Sequence, residues 1–259
     1  MARKNRRKHS VKSRSRLREE VDTLTTMIVT NTKAYEEGPK KKKWTIHDLK
    51  TIKPLTPAQE DLFHVFNQEK HICAHGSAGT GKTFLGLYLA LREVLENTHE
   101  RVIIVRSAVA TRDIGFMPGD LNEKMSFYET PYRDICAELF GKFSTYDDMK
   151  LAGKIEFMPT TFIRGITWDN AIVVVDEGQN MTFHEINSIM TRVGKNTKII
   201  FTGDMPQTDL RKNRQDVSGM EDFLKVIDQM DEFGKVHFTT DDIVRSDFVK
   251  AWIIATEKE

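Results

Sequence analysis

Residues 76–83 read Gly76-Ser77-Ala78-Gly79-Thr80-Gly81-Lys82-Thr83, set between a short apolar run and a helical one. Glycines at this spacing, followed by Lys and Thr, form the pattern of a phosphate-binding loop. Gly76, Gly79 and Gly81 let the backbone curl until successive N–H groups point inward as a nest for phosphate oxygens. The helix that follows offers its unpaired N–H groups to the same oxygens. Lys82 is expected to reach the β- and γ-phosphates of ATP, and Thr83 to hold Mg²⁺ through its hydroxyl. A second run, Ile172–Asn180, carries four β-branched residues into Asp176-Glu177. With a phosphate loop upstream, Asp176 is expected to hold Mg²⁺ through water and Glu177 to polarise the attacking water as general base. Gln179 is placed to sense the γ-phosphate or to relay to a nucleic-acid site. A third polar cluster, Gly203-Asp204-Met205-Pro206-Gln207, follows another apolar run, where Gln207 or Asp204 could orient water.

Single residues carry weaker signals. Gln59 lies about one helix upstream of the loop, and its carboxamide has the donor and acceptor faces that read adenine. It serves equally as the third residue of a capping box begun by Thr56. Arg245 reads as an arginine finger or as the partner of Asp241 or Asp242. Arg164 beside Gly165 is a phosphate contact or a surface arginine in a tight turn. Phe116, in the polar segment 107–119 with Arg112 and Asp113, stacks on a base, packs on a subunit or anchors its own loop. His71 and His75 alternate with Cys73 on one strand, without metal-ligand spacing beyond it.

These side chains need a frame. Apolar runs at 71–75, 101–106, 171–176 and 198–202 predict core strands, with shorter ones at 155–158 and 236–238. Helical patterns lie between them. One covers 83–96, and one covers 120–140 as a helix or a helix pair interrupted by Pro131. A short helical turn is expected at 146–151. Capping boxes Thr182–Glu185 and Ser218–Glu221 start helices running to about Val193 and Met230. A last helix carries Phe248, Val249, Ile253 and Ile254. Apolar strands alternating with helices predict an α/β fold, a P-loop NTPase with a mostly parallel sheet covered on both faces.

The 259 residues suit one sizeable domain with arms. No 18-residue apolar run exists, and the N-terminus lacks the apolar stretch of a secretory signal. Two cysteines give neither a disulfide framework nor a zinc site, which fits a reducing cytoplasm. The net charge of +1 hides a split. Residues 1–18 hold nine Lys/Arg and no acid, whereas the remainder holds 30 basic and 38 acidic residues. The expected organisation is a disordered basic arm at 1–18, an extension at 19–54 packing on the core through Trp44, Ile46, Leu49 and Ile52, and a single ATPase domain at 55–259. The arm is either a nucleic-acid contact or a solvated tail.

Taken together, the motifs resemble the PhoH-like family, stand-alone P-loop ATPases related to superfamily 1 helicase cores. The resemblance covers roughly residues 50–250. It rests on Gln59 in its LTPAQ run, Gly76–Thr83, Arg112–Gly119, Phe162–Gly165, Asp176–Asn180, Thr191–Gly194, Gly203–Gln207 and Asp242–Arg245. It implies a RecA-like fold, ATP binding and hydrolysis, and a cytoplasmic protein of a bacterium or, if phage-encoded, of the host cell. Gly178 stands where the family usually has Ala, and Ser107 where Pro commonly follows the strand arginine. Roughly 50 residues follow Gln207, too few for a second helicase lobe. A neighbouring subunit is therefore expected to complete the site, with Arg192 or Arg245 acting on its neighbour's ATP. Family resemblance points to a hexameric ring, whose basic channel would hold single-stranded RNA or DNA, as a translocase or helicase. The competing reading is a protein-directed regulatory or assembly ATPase; a scaffold that scarcely hydrolyses is opposed by Lys82, Asp176 and Glu177. A nuclease lacks a carboxylate cluster of its own.

Overall fold

The computed structural model describes residues 44–107, 121–204 and 218–257. The basic arm 1–18, most of the 19–54 extension, Arg112, Asp113 and Phe116, and Gln207 lie outside the described residues.

Among the described residues six strands form one sheet: β1 His71–Gly76, β2 Arg101–Arg106, β3 Ile155–Pro159, β4 Ala171–Asp176, β5 Lys198–Asp204 and β6 Phe233–Phe238. Their order is β3-β2-β4-β5-β1-β6, and every pairing is parallel. Burial on both faces explains why β2 and β4 read as unbroken apolar runs. Alternation along each strand divides the core in two. Ile72, Ala74, Val102, Ile104, Ile172, Val174 and Ile200 face one side. There they pack on α1 Pro57–Phe66, α2 Lys82–Leu95, α3 Leu121–Phe140 and α4 Thr145–Leu151. Cys73, Ile103, Val105, Val173, Val175 and Phe201 face α5 Phe183–Met190 and α6 Met220–Ile227. Burial pushes the Cys73 thiol up to about 12, so it acts as a small apolar filler. The last helix, α7 Asp247–Glu257, buries Ile253 against Ala78 and Ile243 and leaves Phe248 and Trp252 exposed.

Trp44, Ile46, Leu49 and Ile52 do pack on the first core. Thr56 caps α1 by accepting from the Gln59 N–H, with Pro57 at the first helical position. The Thr182–Glu185 capping box is complete, but its helix ends at Met190 rather than Val193. Further local expectations are corrected as well. Pro131 does not break its helix: α3 runs through it, forgoing one main-chain donor. Residues 218–221 form no capping box. Gly219 occupies the cap, tucked against the Phe183 backbone where a Cβ would lie 2.2 Å from the Phe183 nitrogen, so no side chain fits there. That helix also stops at Ile227 instead of Met230.

The register aligns the chemistry. Gly76 pairs with Asp204, and Arg106 with Asp176, so the functional ends of β1, β5, β2 and β4 emerge at one edge of the sheet. In open parallel sheets this carboxyl edge is where ligands bind.

Candidate active site

The strand-to-helix turn at 76–82 has the conformation that its glycines allow. Gly76, Gly79 and Gly81 have φ of 128°, 72° and 86°. Gly76 is also required by crowding, because a Cβ there would lie 1.9 Å from the Phe238 carbonyl oxygen on β6. Gly81 caps α2, whose first turn contains no acid to neutralise its positive end. Lys82 is buried, and its Nζ donates to the Ser77 carbonyl at 2.5 Å and the Thr80 hydroxyl at 3.1 Å. It also pairs with Asp204 at 2.8 Å. Ala78 and Thr80 are buried within the loop, and the Ser77 hydroxyl donates to Glu257 at 2.9 Å.

Gln59 is buried beneath the loop, its Nε2 donating to the Thr80 carbonyl at 3.0 Å and its Oε1 accepting from the Leu55 N–H at 2.8 Å. In this arrangement Gln59 braces the loop, and one amide hydrogen and one lone pair remain for a base. It is not a capping-box residue, since its Oε1 takes the N–H of Leu55 rather than that of Thr56.

Asp176 is buried and accepts three hydroxyl protons. Thr83 and Thr202 donate to Oδ1 at 2.6 and 2.8 Å, and Tyr132 donates to Oδ2 at 2.8 Å. Burial, then the Asp176 charge, raise the Tyr132 phenol well above its ordinary value, so it stays a donor. A hydroxyl and a carboxylate meeting at the phosphate loop are hard oxygen donors of the kind that bind Mg²⁺ together with substrate phosphates. Among the described residues no group of three or more His, Cys, Asp or Glu forms a separate metal site.

Glu177 follows in a left-handed backbone conformation, with φ of 54°. Such a conformation costs a non-glycine residue on the order of 1 kcal/mol, and the surroundings hold it. Gln179 Nε2 donates to Glu177 Oε2 at 2.6 Å, while Gln179 Oε1 accepts from the Asp204 N–H at 2.9 Å. Arg106 stands 4.0 Å from Glu177 Oε1. Burial and the adjacent Asp176 push the Glu177 carboxyl above its ordinary value, against the opposing charge of Arg106.

These groups share a cleft of about 710 Å³, large enough for a nucleotide. Lys82, Thr83, Asp176 and Glu177 line its floor, and Ile52, Leu55 and Ile135 line an apolar part. Arg245 lines the same cleft, with its Cγ 3.0 Å from where a Gly79 Cβ would be. The preceding residue fixes it there, because the Val244 N–H donates to the Gly79 carbonyl at 3.1 Å. Among the described residues Arg245 forms no ion pair with Asp241 or Asp242. The Asp242 carboxylate instead accepts from Thr239 and from the Ala58 N–H. Arg192 is not brought to the cleft; its Nε donates to the Ile163 carbonyl at 3.2 Å. Arg164 is exposed outside the cleft as well.

Sequence reasoning missed Arg106, Tyr132 and Thr202. Arg106 and Thr202 lie at the carboxyl edge of core strands, the signal that had exposed Asp176 and Asp204. Tyr132 has no comparable signal, since only the packing of α3 brings it to Asp176.

The family model described as PhoH-like protein matches residues 51–257. The chain belongs to the PhoH-like protein family. Protein PhoH of Escherichia coli is 33% identical over 204 residues, covering 77% of this chain and 57% of its own length. PhoH-like proteins of Synechocystis and Bacillus subtilis are 37% and 34% identical over 184 and 212 residues. These matches cover 71% and 81% of this chain and 55% and 65% of those relatives. The chain thus spans somewhat more than half the length of the PhoH-like relatives it matches. Within the family match lie the phosphate loop, the Asp176-Glu177 pair and Arg245.

Proposed function

We propose that the cleft binds Mg²⁺-ATP and hydrolyses it to ADP and phosphate. The observation that carries this reading is the convergence of Lys82, Thr83, Asp176 and Glu177 in one cleft beside the start of α2. Residues Gly76–Thr83 hold the phosphates, with Lys82 leaving Asp204 to meet the anionic oxygens. Thr83 and Asp176 hold Mg²⁺, which when bound neutralises charge on the phosphates. Gln59 supports the loop from beneath and offers its remaining amide groups to the base. Glu177 accepts a proton from the attacking water as the new P–O bond forms and the bond to ADP breaks. Gln179 holds the Glu177 carboxylate, and Gln207 is assigned to the water side. Arg245, on the rim of its own chain's cleft, neutralises the transferring phosphoryl group in cis. Arg192 could act on a nucleotide only across an interface.

The same reading couples the cycle to single-stranded RNA or DNA within a homo-oligomer, a hexameric ring that moves along or unwinds the strand. The nine basic residues of the arm support the nucleic-acid part. Phe248 and Trp252, 76% and 65% exposed on the helix beside the cleft, support a subunit contact there. Among the described residues no helix is long and apolar enough to cross a membrane.

Steady-state hydrolysis with and without single-stranded RNA or DNA, at two salt concentrations, tests the coupling. Salt-sensitive stimulation is expected. Turnover indifferent to saturating polymer favours a protein-directed regulatory or assembly ATPase.

A further inference from the structure

Arg106 ends β2, directly beside Asp176 in the sheet register. Its guanidinium is mostly buried, at 23% exposed, and faces both members of the acidic pair by different routes. It stands 4.0 Å from Glu177 Oε1. It also interacts with the Tyr132 hydroxyl, whose own proton goes to Asp176 Oδ2 at 2.8 Å. The Tyr128 ring lies beneath it, 5.9 Å from the guanidinium carbon. Burial alone would disfavour the Arg106 charge; Tyr132, Asp176 and Glu177 outweigh it. Lys82, also a buried cation of the cleft, is directed to Asp204 and the loop carbonyls.

The Glu177 carboxylate therefore has a hydrogen-bond donor on one side and a cation at ion-pair distance on the other. Gln179 takes Oε2 and Arg106 faces Oε1. Glu177 also sits on a left-handed backbone that its own residue type does not favour. A carboxylate on such a backbone needs side-chain restraint to keep one orientation toward a water. We propose that Arg106 is the positioning residue for Glu177: it aims the carboxylate at the nucleophilic water and, through Tyr132, ties that orientation to Asp176. Arg106 acts through Glu177 and does not touch the phosphoryl group. A planar fork can serve a carboxylate and a phenol at once, which a lysine ammonium on a single stem does less well.

This inference rests on the ATPase reading, and a double-mutant cycle separates the two. Hydrolysis would be measured for wild type, Arg106→Ala, Arg106→Lys, Glu177→Gln and Arg106→Ala/Glu177→Gln. Binding of a fluorescent ATP analogue and the unfolding midpoint would be measured for each. Misplacing a catalytic group by about 1 Å costs on the order of 100-fold. Arg106→Ala is accordingly expected to lower kcat roughly 10- to 100-fold with analogue affinity within about twofold of wild type. Arg106→Lys recovers part of the loss, and the double variant is no slower than Glu177→Gln alone. Losses that multiply in the double variant would overturn the proposal and make Arg106 a direct phosphoryl contact. So would weakened analogue binding equal to the whole rate loss, or unchanged kcat in Arg106→Ala. Normal turnover in Glu177→Gln would instead remove the general-base reading on which the inference stands.

Discussion

Gly178, in the turn after Asp176-Glu177, shows how one residue depends on another far from it in sequence. A Cβ at this position would lie 2.1 Å from Cε1 of Phe201 on β5. The Phe201 ring, itself tilted against Phe223 with centroids 4.4 Å apart, occupies the space that an alanine methyl would need. Gly178→Ala is expected to destabilise the fold by about 1–3 kcal/mol through overpacking. Urea unfolding reads that loss, and adding Phe201→Leu should recover much of it; equal stability of the glycine and alanine forms would show that the ring yields freely. Ser107 donates through its hydroxyl to Glu185 at 3.1 Å, a bond that a proline could not supply. The sequence reading singled out both positions, but the contacts that fix them join distant segments.

His75 gives a pH prediction at the same scale. Burial, then His237, Lys235 and Lys82, lower its imidazole from 6.5 to about 4. The unfolded chain therefore binds the proton between these values when the folded one does not, and stability rises with pH across that interval. The contribution is fully present above about 6.5 and is lost as pH falls toward 4. Chemical denaturation at pH 7 and pH 5 should show a smaller difference for His75→Gln than for wild type. Identical differences would contradict the assignment.

Among the elements, α5 illustrates a cap that does more than start a helix. Glu185 completes the capping box with Thr182 and also accepts from Ser107 at 3.1 Å and Thr160 at 2.7 Å. One carboxylate thus fastens the ends of β2 and β3 to the start of a helix. Thr182→Ala should cost about 1 kcal/mol, the usual worth of a cap. Glu185→Ala should cost more, about 2–3 kcal/mol, because two further hydroxyls lose their acceptor. Urea midpoints would order the variants, and equal losses would reduce Glu185 to its capping role. The box was legible because Thr-x-x-Glu is a local pattern; the tie to β2 and β3 is not local. The same distinction explains α3. Local chemistry argues that Pro131 interrupts a helix, but packing of Tyr132, Cys136 and Leu139 on the sheet outweighs one lost hydrogen bond. Tyr132, one residue beyond that proline, consequently escaped the sequence reading while reaching Asp176.

For the whole molecule, the parallel sheet was the most legible feature. Burial on both faces writes itself into β2, β4 and β5 as β-branched runs, and the phosphate loop fixes which edge carries chemistry. The site was legible where its residues sit in one continuous loop or at a strand end. It was opaque where a long return of the chain brings a group back, as with Arg245 and Glu257 meeting the phosphate loop. That return also sets Arg245 in the cleft of its own chain, and the cis role proposed for it rests on that placement. The charge split operates at this scale. Deleting residues 1–18 removes nine basic residues and should lower the salt slope of nucleic-acid binding. A slope unchanged by the deletion would make the arm a plain tail.

The central claim is that this cleft hydrolyses ATP with Glu177 as the base. The most direct test is phosphate release in a single turnover, with Mg²⁺, by wild type and Glu177→Gln loaded to equal occupancy with ATP. The account predicts release by wild type and a loss of at least about 100-fold in the variant, with ATP still bound. Equal release by both, or no release by ATP-loaded wild type, would contradict it.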